Sequence, residues 1–445
     1  MHDDPRPTPR RQRRRTWSCV VALVVTIAGC GSATTPSGSV GPSPSVPTPI
    51  GSAAALSTEP TPLSSAELSA IYSQINQQVR AIRGLDEKTP VQPTILSKAE
   101  MAALLTKQVA ADSPPASVAA DERLYHALGV LPKGDKLTDV YGSLLESQVA
   151  GLYVPTDKKL YVVSKGGGVG PIEKVYYSHE YTHALQDQNF GLVGFQPDSL
   201  ADQGDRQLAR QAVVEGDAYV TMTYWLQQNL PPADLGAVLA AGNDPQAQQA
   251  LQQIPPLVAS QILFAALQGT VWALGLQLKG GYPAIDAAFA DPPDSTEQIL
   301  HPDKWASREK PIDVKLPADL ATKMGAGWSV GLQDTFGEHQ LGTWITAAVP
   351  TGGLPEPPPE SAAGWGGDRM ALLDGPDSAW AVVFKTVWDT DKDAIEFETA
   401  VAPRVATAAG PGGVLVGEGG RVRWIVIGSD NAILNRLAGV LGLAG

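Results

Sequence analysis

The sequence predicts an α+β fold with a mainly helical first part and a smaller C-terminal α+β part. Apolar residues recur at helical spacing through most of residues 65–278, which predicts helices. A strand-turn-strand pattern at residues 149–163 predicts a β-hairpin or small sheet within this helical part. Beyond about residue 311 strand and helix patterns alternate, which is typical of an α+β unit.

The chain is long enough for two lobes. It has 445 residues. The part that follows residue 62 is longer than a domain built around a single hydrophobic core usually is. We predict a first lobe over residues 63–310 and a C-terminal lobe over residues 311–445.

Residues 1–29 have the features of a lipoprotein signal peptide. Five arginines between positions 10 and 15 precede an apolar run at residues 17–29, which is too short to span a bilayer. Ile27-Ala28-Gly29-Cys30 has the pattern of a bacterial lipobox. Cleavage before Cys30 would leave a lipid anchor, which predicts localisation at the extracytoplasmic face of the cell membrane. A paired-arginine export signal and an uncleaved anchor are the alternatives.

Residues 30–62 are predicted to be a tether that consists of lipidated Cys30 and a stretch rich in Ser, Pro, Thr and Gly. Cys19, the only other cysteine, is lost with the signal peptide, so the folded part has no disulfide. The full chain carries a charge of −13, and residues 1–29 hold six Arg and two Asp, so the remainder carries −17. A protein with this net negative charge is repelled by the phosphates of nucleic acid, so we expect no nucleic-acid partner.

The first lobe opens with an amphipathic helix at residues 65–82, preceded by a capping signal. Further helices extend to about residue 146. Residues 149–154 and 160–163 are two predicted strands that flank a turn.

A His-Glu-x-x-His motif follows this hairpin. His179 and His183 are four residues apart, so on a helix they point the same way and can bind one zinc ion. Pro171 precedes the motif, and no helix breaker occurs until residue 190, which predicts one continuous helix. Glu180 then lies beside the metal as a candidate general base.

A hydrolytic zinc site needs a third protein ligand, for which the second helical stretch offers Glu215 and Asp217. These two carboxylates are about 200° apart around a helix, so they cannot both face one metal. We favour Glu215. Asp217 is the alternative ligand, and a purely structural acidic pair is the third possibility.

The string at residues 179–188 resembles the active-site helix of bacterial zincin-type metallopeptidases, a set with largely uncharacterised secreted and lipoprotein members. Glu215 and the three residues after it are similar to the Glu-Gly-x-Ala element by which gluzincins present their third ligand. Residues 293–302 and 364–369 resemble further recurrent strings of the same set. The resemblance covers about residues 64–400, although 31 residues separate His183 from Glu215, more than in many gluzincins.

The resemblance implies a zincin-like catalytic lobe over residues 63–310 and zinc-dependent peptidase activity. A zinc-bound water would attack a peptide carbonyl, with Glu180 as general base and then as proton donor to the leaving amine. Zincins lay extended substrate along a strand beside the metal, and the hairpin at residues 149–163 is the candidate here, with an ordinary structural hairpin as the alternative. Expected substrates are peptides or proteins, or the peptides of peptidoglycan. The alternative is an inactive or structural-metal lipoprotein that acts as an envelope binding or assembly factor.

Three residues are candidates to stabilise the oxyanion formed during hydrolysis, as zincins commonly add such a donor. They are His301, which precedes a proline, Tyr219, one turn after Glu215, and Arg369. Asp187, one turn beyond His183, is either a residue that orients a metal ligand or a surface carboxylate.

The remaining segments complete the predicted fold of both lobes. Residues 257–278 carry no charge and are long enough to span a membrane, but the glutamines within them favour a buried core helix. The C-terminal lobe shows no catalytic motif. We expect helices at residues 327–347, 392–406 and 431–443, strands at 379–387, 414–416 and 422–427, and a loop at 355–359.

Overall fold

The computed structural model describes residues 20–21, 62–112, 114–140, 151–164, 168–242, 254–346 and 359–443. Within these residues the predicted α+β fold is confirmed, with a helical N-terminal part and a C-terminal lobe that contains a sheet. Cys30, nearly all of the predicted tether and most of the loop predicted at residues 355–359 lie outside the described residues.

The first helix begins where the sequence predicts. Helix α1 spans Ser65–Arg83, and a reciprocal pair of hydrogen bonds between Ser64 and Glu67 caps its N-terminus. Its last residue, Arg83, is 1% exposed and points into the core. Helices α2 (Lys98–Asp112) and α3 (Pro115–Ala127) follow.

A small sheet precedes the motif helix. Strands β3 (Gly151–Val154) and β4 (Lys159–Val163) form the predicted antiparallel hairpin. Strand β2 (Pro93–Leu96), which was not predicted, runs parallel to β4, and β1 (Val20–Val21) pairs antiparallel with the other edge of β3. The sheet order is therefore β1-β3-β4-β2.

One long helix packs on this sheet, and two more long helices follow it in the chain. Helix α4 (Pro171–Phe190) carries the His-Glu-x-x-His motif and ends at Gly191, whose φ of 74° is left-handed. Helix α6 (Gly204–Asn229) carries the acidic pair, and the apolar helix α8 (Pro256–Gly280) packs along it. The short helices α5 (Leu192–Phe195) and α7 (Pro232–Gly242) follow α4 and α6 respectively.

Helices α6 and α8 cross with their backbones in contact. A Cβ atom on Gly216 would lie 2.1 Å from the carbonyl oxygen of Gly269, and one on Gly269 would lie 2.3 Å from that of Ala212. Among the described residues, α8 alone is long and apolar enough to span a membrane, and 67% of its most apolar window is buried. It lies in the protein core, as expected for this stretch.

The C-terminal lobe contains an antiparallel sheet with helices on both faces. Its strand order is β5-β6-β7-β9-β8. The strands are β5 (Ser329–Asp334), β6 (Trp365–Asp374), β7 (Trp380–Trp388), β8 (Gly412–Val416) and β9 (Val422–Gly428), and the lobe's helices are α12 (Leu320–Met324), α13 (Gly337–Thr346), α14 (Asp391–Ala406) and α15 (Asn431–Val440). Before them, three short helices that pack against α6 and α8 lead into the lobe, namely α9 (Tyr282–Ala290), α10 (Thr296–Leu300) and α11 (Pro302–Ala306).

The expected helix at residues 327–347 is wrong over its first half. Residues 329–334 form strand β5, and only Gly337–Thr346 is helical. A Cβ on Gly331 would lie 2.0 Å from the Asp374 carboxylate, which would have to move, and Gly337 has a left-handed φ of 74°. Strand β6 was not predicted, since Gly366 and Gly367 interrupt its apolar pattern.

One hydrophobic cluster joins the first part of the chain to the C-terminal sheet. It contains Leu124 of α3 and Leu257 of α8 together with Leu372 and Phe384 of the sheet. The inner face of the sheet thus packs directly on helices that precede residue 310.

Candidate metal centre

Helices α4 and α6 bring two histidines and one carboxylate together. His179 Nε2 and His183 Nε2 are 2.9 Å apart, and Glu215 Oε2 lies 3.3 Å from the first and 3.7 Å from the second. All three residues are buried, and the group could hold a metal ion. The three ligand residues expected from the sequence therefore converge.

The spacing and chemistry of these atoms suit zinc. Around a tetrahedral zinc ion with bonds of about 2.0–2.1 Å, neighbouring donor atoms lie about 3.3 Å apart, and the observed separations bracket that value. Burial lowers the pKa of His179 to about 3 and that of His183 to about 4, which keeps both imidazoles neutral. Glu215 Oε2 is buried with no hydrogen-bond partner among the described residues, so a cation would compensate it.

Each of the three residues contacts a neighbouring side chain. Gln186 lies 2.8 Å from His183 Nδ1, and Gln211 donates a 2.9 Å hydrogen bond to Glu215 Oε1, which leaves Oε2 facing the histidines. The ring of Tyr219 packs edge-on against that of His179, with centroids 4.6 Å apart. Of the three oxyanion candidates, Tyr219 is the one that the structure brings to the metal centre.

Asp217 faces away from the histidines. Its Oδ1 lies 2.7 Å from Arg83 Nε in a fully buried ion pair, and its Oδ2 accepts a 2.8 Å hydrogen bond from Gln186 Nε2. The two carboxylates therefore point in different directions, as the helix geometry requires. Glu215 faces the histidines and Asp217 faces α1.

Glu180 is completely buried against strand β3. Its Oε2 accepts a 2.7 Å hydrogen bond from the backbone amide of Tyr153, while Oε1 has no partner among the described residues. Burial and, to a smaller extent, the charge of Glu215 raise the pKa of Glu180 well above its usual value. A Cβ atom on Gly151 would lie 2.8 Å from Glu180 Cγ, so only glycine leaves this side chain its place.

Asp187 plays neither of the two parts expected from the sequence. It is 9% exposed, and it accepts hydrogen bonds of 2.9 Å from the Tyr153 hydroxyl and from the Leu192 amide. It thus ties the end of α4 to β3. This role of Tyr153 could not be predicted from sequence, nor could the roles of Gln186 and Arg83, because their partners are distant in the chain or lie on another element.

His301 and Arg369 lie in other clusters. His301 Nε2 is 2.9 Å from Glu338, which raises the pKa of His301. Arg369 pairs with Asp202 in the segment before α6. The structure therefore does not bring these two candidates into contact with the metal centre.

A second group of carboxylates already contains a cation. Glu297, Glu309 and Asp389 each lie within 2.7–2.8 Å of Lys304 Nζ. Because the lysine ammonium neutralises them, this group is an ion-pair network that joins α10 and α11 to the C-terminal sheet, and we assign it no metal.

Comparison with known proteins reaches the C-terminal lobe alone. A family profile described as a domain of unknown function (DUF8575) matches residues 329–434, from β5 into α15. Neither a curated protein nor a solved structure matches the chain.

Proposed function

We propose that the protein is a zinc-dependent hydrolase, and specifically a peptidase of the zincin type. The observation that carries this proposal is the position of Glu180 beside a buried group of two neutral imidazoles and one carboxylate. A metal site that only stabilises a fold has no need of a further acidic residue on the motif helix. His179, His183 and Glu215 would hold the zinc ion and leave one position for water.

Bound zinc would supply Lewis acidity, which polarises the substrate carbonyl and makes water a better proton donor. Glu180 takes the proton from the attacking water and passes it to the leaving amine. Because its Oε2 is held by the Tyr153 amide, Oε1 is the oxygen that transfers the proton. Tyr219 is the candidate donor to the oxyanion.

Strand β3 is the candidate binding edge for an extended peptide. Val20–Val21 lies antiparallel to it, opposite Tyr153 and Leu152. Since residues 20 and 21 belong to the predicted signal peptide, cleavage before Cys30 would free this edge for substrate in the same pairing mode. The lipid on Cys30 would then hold the enzyme at the extracytoplasmic face of the membrane.

A structural metal in an envelope binding or assembly factor is the second candidate function. The complete burial of His179, His183 and Glu180 favours it, because structural metal sites are closed.

The deciding experiment combines elemental analysis with cleavage assays on the mature protein, using a peptide library and, separately, peptidoglycan peptides. The proposal expects about one zinc per chain and cleavage of at least one substrate class. Glu180→Gln should keep the zinc and lose at least about a hundredfold in turnover. A protein that binds zinc but cleaves neither substrate class would favour the structural alternative.

A further inference from the structure

We propose that Gln186, held by Asp217 and Arg83, is a positioning residue that fixes His183 in the tautomer able to bind metal. The inference rests on the proposed metal site for its significance. The hydrogen bonds that define it are all buried, and apart from His183 they involve residues outside the His-Glu-x-x-His motif.

The first step is the orientation of the Gln186 amide. Its Nε2 donates to the Val214 carbonyl at 3.0 Å and to Asp217 Oδ2 at 2.8 Å, so both amide protons have acceptors. The oxygen, Oε1, is therefore the end that faces His183. An amide turned the other way would place a carbonyl oxygen against two other oxygens.

The second step is the tautomer of His183. Gln186 Oε1 can only accept, so His183 Nδ1, 2.8 Å away, must carry the proton. The lone pair of the neutral imidazole is then on Nε2, which is the atom that faces His179 and Glu215. The amide thus selects the form of His183 that a metal requires.

The third step is the ion pair behind the amide. Arg83 is 1% exposed, lies 2.7 Å from Asp217 and 2.6 Å from Asp286, and stacks on the ring of Tyr282 at 4.7 Å. Asp217 without this partner would be a buried uncompensated charge. Arg83 occupies Oδ1 of Asp217, so Oδ2 is left to accept from Gln186 Nε2, and together with the Val214 carbonyl it holds the amide of Gln186 in one orientation.

The neutral amide of Gln186 is the group that accepts the hydrogen bond from His183. The carboxylate of Asp217 contacts Gln186 on its other side rather than the histidine itself. Zinc-binding histidines often donate directly to a carboxylate, which makes them stronger donors to the metal. Here the negative charge of Asp217 is balanced by Arg83, so His183 is oriented without a full negative charge beside it.

The test replaces Gln186 with methionine, which has a similar shape but cannot accept the hydrogen bond. In the ¹⁵N-labelled metal-free protein, two-bond ¹H–¹⁵N spectra should show His183 as the single Nδ1–H tautomer in the parent and as a mixture in Gln186→Met. Zinc affinity, measured by competition with a chelator, should fall by about 10- to 100-fold.

Two further variants make the result specific. Gln188→Met changes an amide on the same helix that contacts the backbone of Thr89, and it should alter neither measurement. Asp217→Asn keeps the shape of the site but replaces one carboxylate oxygen with an NH2 donor, so that either end of the Gln186 amide can face it, and it should also broaden the tautomer population. Circular dichroism would verify that each variant is folded.

A single Nδ1–H tautomer and parental zinc affinity in both Gln186→Met and Asp217→Asn would overturn the inference. A parent protein that binds no zinc would instead refute the proposed function. The tautomer measurement would still test the positioning of His183, so the two failures are distinguishable.

Discussion

The backbone amide of Tyr153 donates a 2.7 Å hydrogen bond to Oε2 of Glu180, so the candidate general base is held by the strand that would bind substrate. The same residue reaches Asp187 on α4 through its hydroxyl. Strand β3 and the motif helix are therefore joined at two points, Glu180 and Asp187. A displacement of β3 would move the candidate general base as well as the proposed substrate edge.

Gly151→Ala tests this coupling. The added Cβ would lie 2.8 Å from Glu180 Cγ, and the side chain must move away from it. A shift of about 1 Å in a catalytic group can cost about a hundredfold in rate, so hydrolysis should fall by about 10- to 100-fold. Zinc content should not change, because no metal ligand touches Gly151 at this distance.

Gly236→Ala is the matched control, since its Cβ would meet no atom within 4 Å. Assays of the two variants with one peptide substrate would separate the local effect from a general effect of glycine replacement. Equal activity of Gly151→Ala and the parent would show that Glu180 has more freedom than the structure indicates.

A second prediction concerns the different roles of Glu215 and Asp217 in zinc binding. Glu215→Ala should abolish stoichiometric zinc binding, because Oε2 of Glu215 is the only carboxylate oxygen within 4 Å of both histidines among the described residues. Asp217→Asn should retain zinc, with weaker affinity, because Asp217 contacts Arg83 and Gln186 instead.

Elemental analysis of the two purified variants checks this assignment. Loss of zinc in Asp217→Asn together with full occupancy in Glu215→Ala would reverse the roles of the two residues.

The motif helix and the position of its histidines could be predicted from sequence because they depend on local spacing. Residues four apart face the same way in any helix, and Pro171 and Gly191 set the ends of this one. The choice between Glu215 and Asp217 is different. Helix geometry excludes both together, but the buried ion pair with Arg83 decides which one turns away, and that partner belongs to α1.

The missed strands have a similar explanation. Strand β6 contains Gly366, Gly367 and the buried Asp368, which give no alternating apolar pattern. Its strand conformation depends on pairing with β5 and β7 on either side. These pairings join β6 to other parts of the chain, so the sequence of β6 alone does not predict them.

A third prediction concerns the crossing of α6 and α8. Gly216→Ala should destabilise the protein by about 1–3 kcal/mol, because the methyl group would lie 2.1 Å from the Gly269 carbonyl oxygen and force the helices apart. Since Gly216 adjoins Glu215, the zinc affinity should fall as well.

Gly275→Ala on α8 is the control, because its Cβ would meet no atom within 4 Å. Alanine is favoured over glycine within a helix, so this variant should gain up to about 1 kcal/mol. Urea denaturation of both variants makes the comparison. A Gly216→Ala variant as stable as the parent would show that the crossing can widen freely.

Asp368 lies in the C-terminal lobe, beside the start of α13. Asp368 accepts hydrogen bonds from the amides of Phe336 and Gly337 and from the indole of Trp365, at 2.8–3.0 Å. Burial nevertheless raises the pKa of Asp368 to about 6, with a smaller contribution from the charge of Asp334. The protonated form is therefore favoured by folding.

This shift predicts the direction of a pH effect on stability. An unfolded aspartate has a pKa of about 3.9, so the contribution of Asp368 is fully present below about pH 4 and is lost as the pH rises through about 6. At about 1.4 kcal/mol per pKa unit, the loss amounts to about 2–3 kcal/mol.

Asp368→Asn removes the titration, so its stability relative to the parent should improve by this amount between pH 4 and pH 7. The exposed Asp313→Asn is the control and should show no such change. Urea unfolding of all three proteins across this range measures the difference, and a constant difference between Asp368→Asn and the parent would mean that Asp368 is already ionised in the folded protein at pH 4.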